Sequence, residues 1–439
     1  MSVFRHVGRR VSALDAEAKA RGRAIYTHDF ELPGMLHGAI LRSPHAHARI
    51  RSIDVSTARD MPGVAAIALG ADYPGGRYLN FGPAFADKYP LAVDIARFKG
   101  DEIAAVAAET SEQARAACAS IRIDYEILPA VFDIDTALAP GAPRLHDRTA
   151  LPPNVAQMVT ADLGGLDKAF ADAAFIVEDA FEHGIVAPIC LETNAAVARF
   201  DPEDGTLEIW AGTQAPFFAR KEVAHVLGLP LDKVIVRAIA IGGGFGGKSQ
   251  APEPIAIAAL LAMKAGRPVK IVLDRVEEFR AGKTDHAKRM TVRTAVAADG
   301  SLLGRHTRFE VDNGAYTYMG PAYVSAVRQR TCNLYRVGAA GFEGKLVHTN
   351  KVPGGSYRGM GAPQIIWAIE TQIDTIARKL GKDRLAYRLE IANRTGDTTP
   401  QGWRIGACGL SECLREAGRR IGWAEKASAP RKWRGLGIA

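Results

Sequence analysis

The feature that most constrains this chain is a loop with five glycines in eight residues, GGGFGGKS, at residues 242–249. Glycine has no Cβ atom, so such a loop lets the backbone approach a ligand closely and direct several N–H groups at it. A strand-like segment, KVIVRAIAIG, precedes the loop, and a helical pattern, PEPIAIAALLAMKAG, follows it. We therefore expect a ligand-binding loop at a strand-to-helix turn.

Two nucleotide-binding patterns match this loop. From Gly242 to Ser249 it fits GxxxxGKS, the P-loop, with Asp274 after the next strand as a candidate magnesium ligand. From Gly242 to Gly247 it fits GxGxxG, the dinucleotide fingerprint. Both patterns are short, the chain has 44 glycines, and the region before the loop lacks the strand–helix alternation of a doubly wound sheet. A glycine turn that serves only strand-to-helix packing is a further interpretation.

Charge and hydropathy narrow the class of protein. The net charge of +8 comes without a long basic block or a basic–aromatic stripe, so it does not indicate a nucleic-acid partner. No apolar run approaches the roughly 20 residues that span a bilayer. The start of the chain contains Arg9 and Arg10 but no apolar segment of a signal peptide, so we expect a cytoplasmic protein without membrane contact.

The cysteines contain no CxxC pair. This spacing and their odd number argue against a disulfide framework, a zinc site and a cysteine-ligated iron–sulfur cluster. Any iron–sulfur centre that serves this protein is therefore expected on another chain. The five cysteines are Cys118, Cys190, Cys332, Cys408 and Cys413.

The chain divides into two regions, residues 1–135 and 154–439, joined by a proline-containing linker at 136–153. In the first region, the residue pattern predicts strands at 35–43, 50–55, 62–71 and 121–128, and a helix at 112–119. In the second region it predicts strands at 207–213, 233–242 and 269–274, and helices at 252–266, 362–380 and 410–421.

Several motifs occur in order along the chain. DAEAKARGRAIYTHDF and LRSPHAHARI lie near the start, and GTQAPFFARKEVAHVLGLP places Gln214 31 residues before Phe245 of the glycine loop. TNKVPGGSYRGMGAPQ follows, from Thr349 to Gln364. Together with GGGFGGK, these segments resemble the molybdopterin-binding subunits of the xanthine oxidase family. The resemblance covers nearly the whole chain.

The resemblance implies an α+β fold. Residues 1–135 would form the aldehyde oxidase/xanthine dehydrogenase a/b hammerhead domain, and residues 154–439 the first molybdopterin-binding domain, which a partner chain completes. The cofactor would be molybdenum–molybdopterin, in the cytosine dinucleotide form that bacterial relatives commonly use. The pterin dithiolene would hold the molybdenum, with no direct protein ligand.

The resemblance also assigns roles to individual residues. The Gln214 amide would donate a hydrogen bond to an oxygen ligand of the molybdenum, and the backbone N–H groups around Phe245 and Gly246 would add donors. Gly244 and Gly247 would complete the cofactor-binding loop, and Lys248 would be structural. In the second motif, Arg358 would act near the cofactor and the substrate channel. The substrate-pocket residues would be Ser249, Tyr357 and Met360.

Two departures from the family pattern narrow the substrate. Purine hydroxylases carry a glutamate after the lysine of the loop, where this chain has Ser249. Carbon monoxide dehydrogenases carry a cysteine after the YR pair, where this chain has Gly359, so no thiolate is present there for copper. The expected substrate is a small N-heteroaromatic, an aldehyde or an aryl thioester, hydroxylated at a C–H carbon with oxygen from water.

Other parts of the family's site are not found in this sequence. The general-base glutamate and the GQG segment belong to the second half of these subunits, and Glu192 in CLETNAA matches a structural acidic position. The chain stops at GLGIA, which is expected either in a natural split, as in nicotinate dehydrogenase, or in a truncated longer subunit. The expected partners are a second molybdopterin-binding chain with the base, a [2Fe–2S] chain and, as a further candidate, an FAD chain. A non-catalytic scaffold is the remaining alternative.

Overall fold

The computed structural model describes residues 5–147, 150–250, 253–429 and 432–439. The strands are β1 (Leu36–Arg42), β2 (Ala48–Asp54), β3 (Val64–Leu69), β4 (Ile95–Ala96), β5 (Glu102–Ala108), β6 (Arg122–Ile127), β7 (Val155–Leu163), β8 (Phe175–His183), β9 (Ala195–Asp201), β10 (Thr206–Ala211), β11 (Val234–Ala238), β12 (Val269–Val272), β13 (Ala287–Val296), β14 (Leu302–Gly314) and β15 (Val337–His348).

The helices come from all parts of the chain. They are α1 (Ala16–Ala20), α2 (Ser56–Arg59), α3 (Ser111–Ser120), α4 (Ile134–Leu138), α5 (Leu166–Ala171), α6 (Pro216–Leu227), α7 (Glu253–Ala265), α8 (Arg275–Ala281), α9 (Gly320–Arg330), α10 (Ala362–Lys379), α11 (Arg384–Ile391), α12 (Leu410–Ile421) and α13 (Trp423–Ser428). No helix in these described stretches is both long and apolar enough to cross a bilayer.

The largest sheet joins the two regions of the chain. Its seven strands run in the order β11-β10-β9-β12-β1-β5-β3. Strands β1, β5 and β3 come from the first region, and β1 pairs in parallel with β12 of the second, with Leu36 opposite Val269 and Gly38 opposite Ile271. The division at residues 136–153 stays a prediction, since the sheet crosses it.

Two further sheets complete the architecture. Five strands form the order β7-β15-β14-β13-β8, and three short strands form β4-β2-β6. Helix α10 buries Ile365, Ile369, Ile373 and Ile376 in the core next to the five-stranded sheet. This spacing of three and four residues puts them on one face of the helix. The helices predicted at 362–380 and 410–421 are therefore confirmed, the first to within one residue.

Helix α7 is buried nearly all round. Its residues Ile255 to Leu261 are at most 5% exposed and lie in the core beside the seven-stranded sheet. The apolar pattern after the glycine loop predicts this helix, which the structure describes from Glu253; Pro252, the predicted first residue, lies outside the described residues. The expected α+β fold is confirmed, with helices packed on mixed sheets.

Candidate functional site

The glycine loop and Gln214 meet at one edge of the seven-stranded sheet. Strands β10 and β11 are parallel neighbours, with Leu207 opposite Val234 and Ala211 opposite Ala238. The carboxyl ends of parallel strands lie at the same edge, and loops there commonly hold ligands. Gln214 follows β10 and the loop follows β11, so the topology brings these two segments together.

Gln214 is fixed to the loop by two hydrogen bonds. Its backbone N–H donates to the carbonyl of Lys248 at 2.9 Å, and its side-chain Oε1 accepts from the Gly246 N–H at 2.9 Å. No described residue accepts a hydrogen bond from Nε2, and the side chain is exposed. The Nε2 amide is therefore the part of Gln214 that can donate to a ligand.

This arrangement corrects one expectation about the loop. The resemblance implies that the Gly246 N–H donates to the ligand, but it donates to Gln214. No described residue accepts from the Phe245 N–H, so the donor role expected of it stays a prediction. The physical reason is that an exposed glutamine needs an acceptor–donor contact to hold its carboxamide in one orientation.

The glycines of the loop are required by close packing. A Cβ atom at Gly244 would lie 2.5 Å from Cδ of Gln214, and one at Gly246 would lie 2.6 Å from the carbonyl oxygen of Ser356. A Cβ at Gly247 would lie 3.0 Å from Cγ of Pro188. At Gly246 the obstacle is backbone, so the loop lies this close to the second motif only because a side chain is absent there, whereas at Gly244 and Gly247 the obstacles are side chains.

Each of the two loops holds a bulky residue in the left-handed backbone region. Phe245 has φ +49° and Met360 has φ +47°. Such conformations cost about 1–3 kcal/mol for a residue with a side chain, and they cluster at functional sites. Phe245 is 45% exposed, so the strain is not explained by burial of its ring.

The second motif forms a turn that leads into α10. The Met360 N–H donates to the Tyr357 carbonyl at 2.6 Å, and Met360 packs partly against the core of the five-stranded sheet. Arg358 is exposed and makes no hydrogen bond or ion pair with any described residue. Tyr357 is half-buried. Ser249 also is half-buried, and its hydroxyl donates to the Gly246 carbonyl at 2.6 Å.

The residues of the TN pair hold the fold together away from these loops. Asn350 accepts from the Val131 N–H at 2.9 Å and donates to the Arg97 carbonyl at 2.8 Å, which ties the first region to the second. Thr349 donates to Asp312. Both side chains are buried. Their place in the motif is therefore explained by packing.

The P-loop interpretation finds no support in the geometry. Lys248 is 1% exposed, and its Nζ lies 2.8 Å from a Glu192 carboxylate oxygen, so its charge is neutralised inside the protein. Asp274 accepts from the Glu277 N–H at 2.8 Å and caps helix α8. Neither residue stands where a triphosphate and magnesium would need it.

A titratable cluster lies beneath the second loop. His286 is fully buried, with its ring 4.5 Å from that of Tyr323, and a Cβ at Gly354 would lie 2.3 Å from the imidazole. Burial lowers the pKa of His286 to about 4, against the neighbouring charge of Asp285. The imidazole is therefore neutral near pH 7. Burial also raises the pKa of the Cys190 thiol beside the glycine loop.

Exposed apolar side chains lie in the segments that flank the glycine loop and follow Gln214. Leu191 is 92% exposed, Phe217 81% and Ile189 59%. The segment that carries Leu191 and Ile189 also packs under the loop, where a Cβ at Gly243 would lie 3.3 Å from Cys190 Cβ. Such a concentration of exposed apolar residues is typical of an interaction surface.

Sequence reasoning missed a histidine–aspartate group outside the two loops. One ligand atom each of Asp87, His146 and His348 lie within 4.8 Å of one another. The Thr317 N–H donates to Asp87, and His146 contacts the Ala315 carbonyl at 2.7 Å. These contacts account for the group, and we assign no ion to it. No CxxC or HxxxH spacing could have signalled it.

Comparisons with known proteins match both regions. The family model "Molybdopterin cofactor-binding domain" matches residues 145–391, and "Aldehyde oxidase and xanthine dehydrogenase, a/b hammerhead domain" matches residues 21–129. A probable xanthine dehydrogenase subunit of Bacillus subtilis is 34% identical over 94% of this chain and 56% of that protein. The nicotinate dehydrogenase large molybdopterin subunit of Eubacterium barkeri is 32% identical over 94% of this chain and 96% of that subunit.

Solved structures agree. The aldehyde oxidoreductase of Desulfovibrio gigas superposes with a TM-score of 0.88 at 30% identity, over 96% of this chain and 47% of that one. Quinoline 2-oxidoreductase of Pseudomonas putida 86 gives a TM-score of 0.87 at 32% identity, over 96% and 55%. The chain therefore belongs to the xanthine dehydrogenase family of molybdopterin cofactor-binding proteins. It spans about half the length of most of these relatives, and nearly all of the nicotinate dehydrogenase subunit.

The residues present at the loops fit a molybdenum–pterin cofactor. The glycines at positions 244 and 246 let the loop lie directly against Gln214 and Ser356, which brings the two loops together at one place. The side chains around it are donors, the Gln214 amide and the Arg358 guanidinium, as an anionic cofactor with phosphate and oxygen groups requires. None of the described carboxylates that approach the loop is left uncompensated, because Glu192 pairs with Lys248.

Proposed function

We propose that this chain presents Gln214 and the glycine loop to a molybdenum–molybdopterin cofactor in a multi-subunit hydroxylase. The observation that carries the proposal is the hydrogen-bonded arrangement in which Gln214 Oε1 accepts from Gly246, so that Nε2 is directed to donate elsewhere. When bound, the cofactor supplies the oxidation of a substrate C–H carbon with oxygen derived from water.

The chain's own residues would bind and orient. Gln214 Nε2 and the Phe245 N–H donate hydrogen bonds to the cofactor, while Gly244, Gly246 and Gly247 form the cofactor-binding loop and let it pack closely against Gln214, Ser356 and Pro188. Arg358 supplies an exposed positive charge, which favours anionic groups at the entrance. The Phe245 ring lies against Gly243 and stays exposed.

The pocket residues point to the substrate class. Ser249 stands where a purine hydroxylase has a carboxylate, and its hydroxyl is already used within the loop. With Gly359 in place of a cysteine, copper chemistry lacks its thiolate. Together with Tyr357 and Met360 at the second loop, this favours a small N-heteroaromatic, an aldehyde or an aryl thioester.

The remaining parts of the complex would cover the apolar surface around the loop. Leu191, Phe217 and Ile189 would be buried by the second half of the molybdopterin-binding subunit, which would also bring the general-base glutamate. Electrons would pass to [2Fe–2S] centres on another chain, with an FAD chain as a further candidate. We propose the cytosine dinucleotide form of the cofactor. The five free cysteines agree with a reducing, cytoplasmic setting.

Purification of the native complex tests the proposal. Plasma mass spectrometry is expected to find molybdenum and iron in near-stoichiometric amounts, and Gln214→Ala is expected to lower kcat by about 10²–10³, as loss of one oriented donor does. Gln157→Ala, on β7, serves as the control glutamine. A complex that contains no molybdenum, or a Gln214→Ala variant as active as the control, would contradict the proposal.

A further inference from the structure

Glu192 lies at the centre of the contacts that shape the glycine loop. Its Oε2 accepts from the Gly242 N–H at 2.8 Å and from Lys248 Nζ at 2.8 Å, and its Oε1 accepts from the Thr27 N–H at 3.2 Å. Its backbone N–H donates to the Gly242 carbonyl, and its backbone carbonyl accepts from Lys248 Nζ at 2.9 Å. One buried residue therefore holds both ends of the loop.

Hydrogen bonds connect the Glu192–Lys248 ion pair to Gln214, the predicted donor to the cofactor. Lys248 is held by Glu192 through its side chain, and its backbone carbonyl accepts from the Gln214 N–H at 2.9 Å and from Thr213 Oγ1 at 3.3 Å. Gln214 in turn accepts from the Gly246 N–H. The contacts run from Glu192 through Lys248 to Gln214 and back into the loop.

The neighbouring glycines are fitted to this carboxylate. A Cβ at Gly242 would lie 2.4 Å from Glu192 Cβ, and one at Gly212 would lie 3.0 Å from Glu192 Oε2. The Gly212 N–H donates to Thr27 Oγ1 at 2.9 Å, and Thr27 is fully buried. The carboxylate thus also connects the start of the first region to the segment that carries Gln214.

We propose that the Glu192–Lys248 ion pair holds the glycine loop in one conformation and thereby positions the Gln214 amide for the cofactor. Glu192 is then a positioning residue of the site. The glycine loop has left-handed residues at Gly243, Phe245 and Gly246, so its backbone gains little from regular hydrogen bonding. A buried charge pair is a means of holding such a loop in one conformation. The inference rests on the proposed function for its consequence in catalysis, but not for the loop geometry.

Hydrogen–deuterium exchange on the purified complex measures directly how firmly the ion pair holds the glycine loop. Glu192→Gln keeps the side-chain shape but removes the charge that holds Lys248. Exchange in the peptides that cover residues 242–249 is expected to become about tenfold faster or more, since a broken buried pair opens the structure locally. The matched control is Glu370→Gln, which breaks the buried pair of Glu370 with Arg388 between α10 and α11 (2.7 Å).

A second variant separates the loss of the contacts that position the loop from the effect of leaving a buried lysine without its counter-charge. In Glu192→Gln/Lys248→Met no buried lysine is left unpaired, so the double variant is expected to fold even if Glu192→Gln does not. We expect fast exchange at the loop, a kcat at least tenfold below that of Glu370→Gln, an unchanged KM and an altered Mo(V) electron paramagnetic resonance spectrum.

Wild-type exchange rates in both Glu192 variants would overturn the proposal that the ion pair holds the loop. So would a loss of kcat no larger than in Glu370→Gln, with an unaltered Mo(V) spectrum. A complex without molybdenum would instead overturn the proposed function, and the exchange rates would still decide whether Glu192 holds the loop.

Discussion

The close approach of the two loops at Gly246 allows a quantitative test by substitution with alanine. Gly246 has φ +98°, and a Cβ there would lie 2.6 Å from the Ser356 carbonyl oxygen and 2.7 Å from its carbon. Gly396 is a matched control, because it has φ +97° and no atom within 4 Å of an added Cβ. The two substitutions therefore share the backbone strain and differ in the steric overlap.

The expected effects follow from these two contributions. Backbone strain of this kind costs about 1–3 kcal/mol, so Gly396→Ala should lower the free energy of unfolding by that amount. Overlap with a backbone carbonyl, which cannot rotate away as a side chain can, adds about 1–3 kcal/mol at Gly246. Gly246→Ala should therefore cost about 2–6 kcal/mol in total.

Urea unfolding, followed by tryptophan fluorescence, measures the difference between the two variants through their midpoints. The molybdenum content of the purified complex provides a second readout, because Gly246, the residue that the overlap displaces, also donates to Gln214. We expect Gly246→Ala to lose molybdenum and Gly396→Ala to keep it. Equal midpoints with equal molybdenum content would refute the reasoning that the two loops must touch for the cofactor to bind.

Three further outcomes are expected. The pKa of His286 falls from its ordinary 6.5 to about 4 on folding, so the free energy of unfolding is highest above pH 6.5 and decreases by up to about 3 kcal/mol as the pH falls to 4. The free energy of unfolding in urea, measured from pH 7 to 4, should therefore depend less on pH in His286→Phe than in wild type. An equal pH dependence in the two proteins would contradict this. Arg358→Ala should change stability by at most about 0.5 kcal/mol while lowering kcat/KM, and wild-type kinetics would remove Arg358 from the site. Asp274→Ala, which removes the cap of α8, should cost about 0.5–2 kcal/mol in urea unfolding, and calorimetry should detect no magnesium-dependent ATP binding to wild type or variant, whereas such binding would restore the P-loop interpretation.

The strands that could be predicted are those whose own residues carry the signal, without reference to neighbouring strands. The segments at 35–43, 62–71 and 121–128 alternate or carry apolar runs between turn residues, and each corresponds to a strand of the structure. Strand β5 was missed, because Glu102–Ala108 is buried on both faces between β1 and β3 and so shows no alternation. A short alanine-rich run gives no signal that separates strand from helix.

The five-stranded sheet was not predicted for a different reason. Strands β13 and β14 place Arg289, Arg293 and Arg305 among apolar residues, and these arginines find partners only in the folded sheet, such as Glu310 and Glu178. In sequence they make the segment look like a polar loop. Long-range pairing supplies the missing information.

In the candidate site, too, the residues could be predicted from local sequence, but the long-range contacts between them could not. The glycine loop, Gln214 and the second motif could be found from their residue types and order. The donation from the Gly246 N–H to Gln214 rather than to a ligand could not, because it depends on how β10 and β11 align. Glu192 likewise gave no signal as the residue that holds the loop, since its partners Thr27, Gly242 and Lys248 each lie 50 or more residues from it in sequence.

The shared seven-stranded sheet limits how proteins of this type can be recombined. Two separate family models match residues 21–129 and 145–391, which suggests two exchangeable modules. A chimera with a relative's residues 21–129 would, however, place a foreign β1 against β12, where the absence of a side chain at Gly38 leaves room for Ile271, 2.5 Å from its would-be Cβ. Productive crossovers between relatives should therefore exchange β1 and β12 together, and residues 21–129 expressed alone would carry an open, adhesive strand edge.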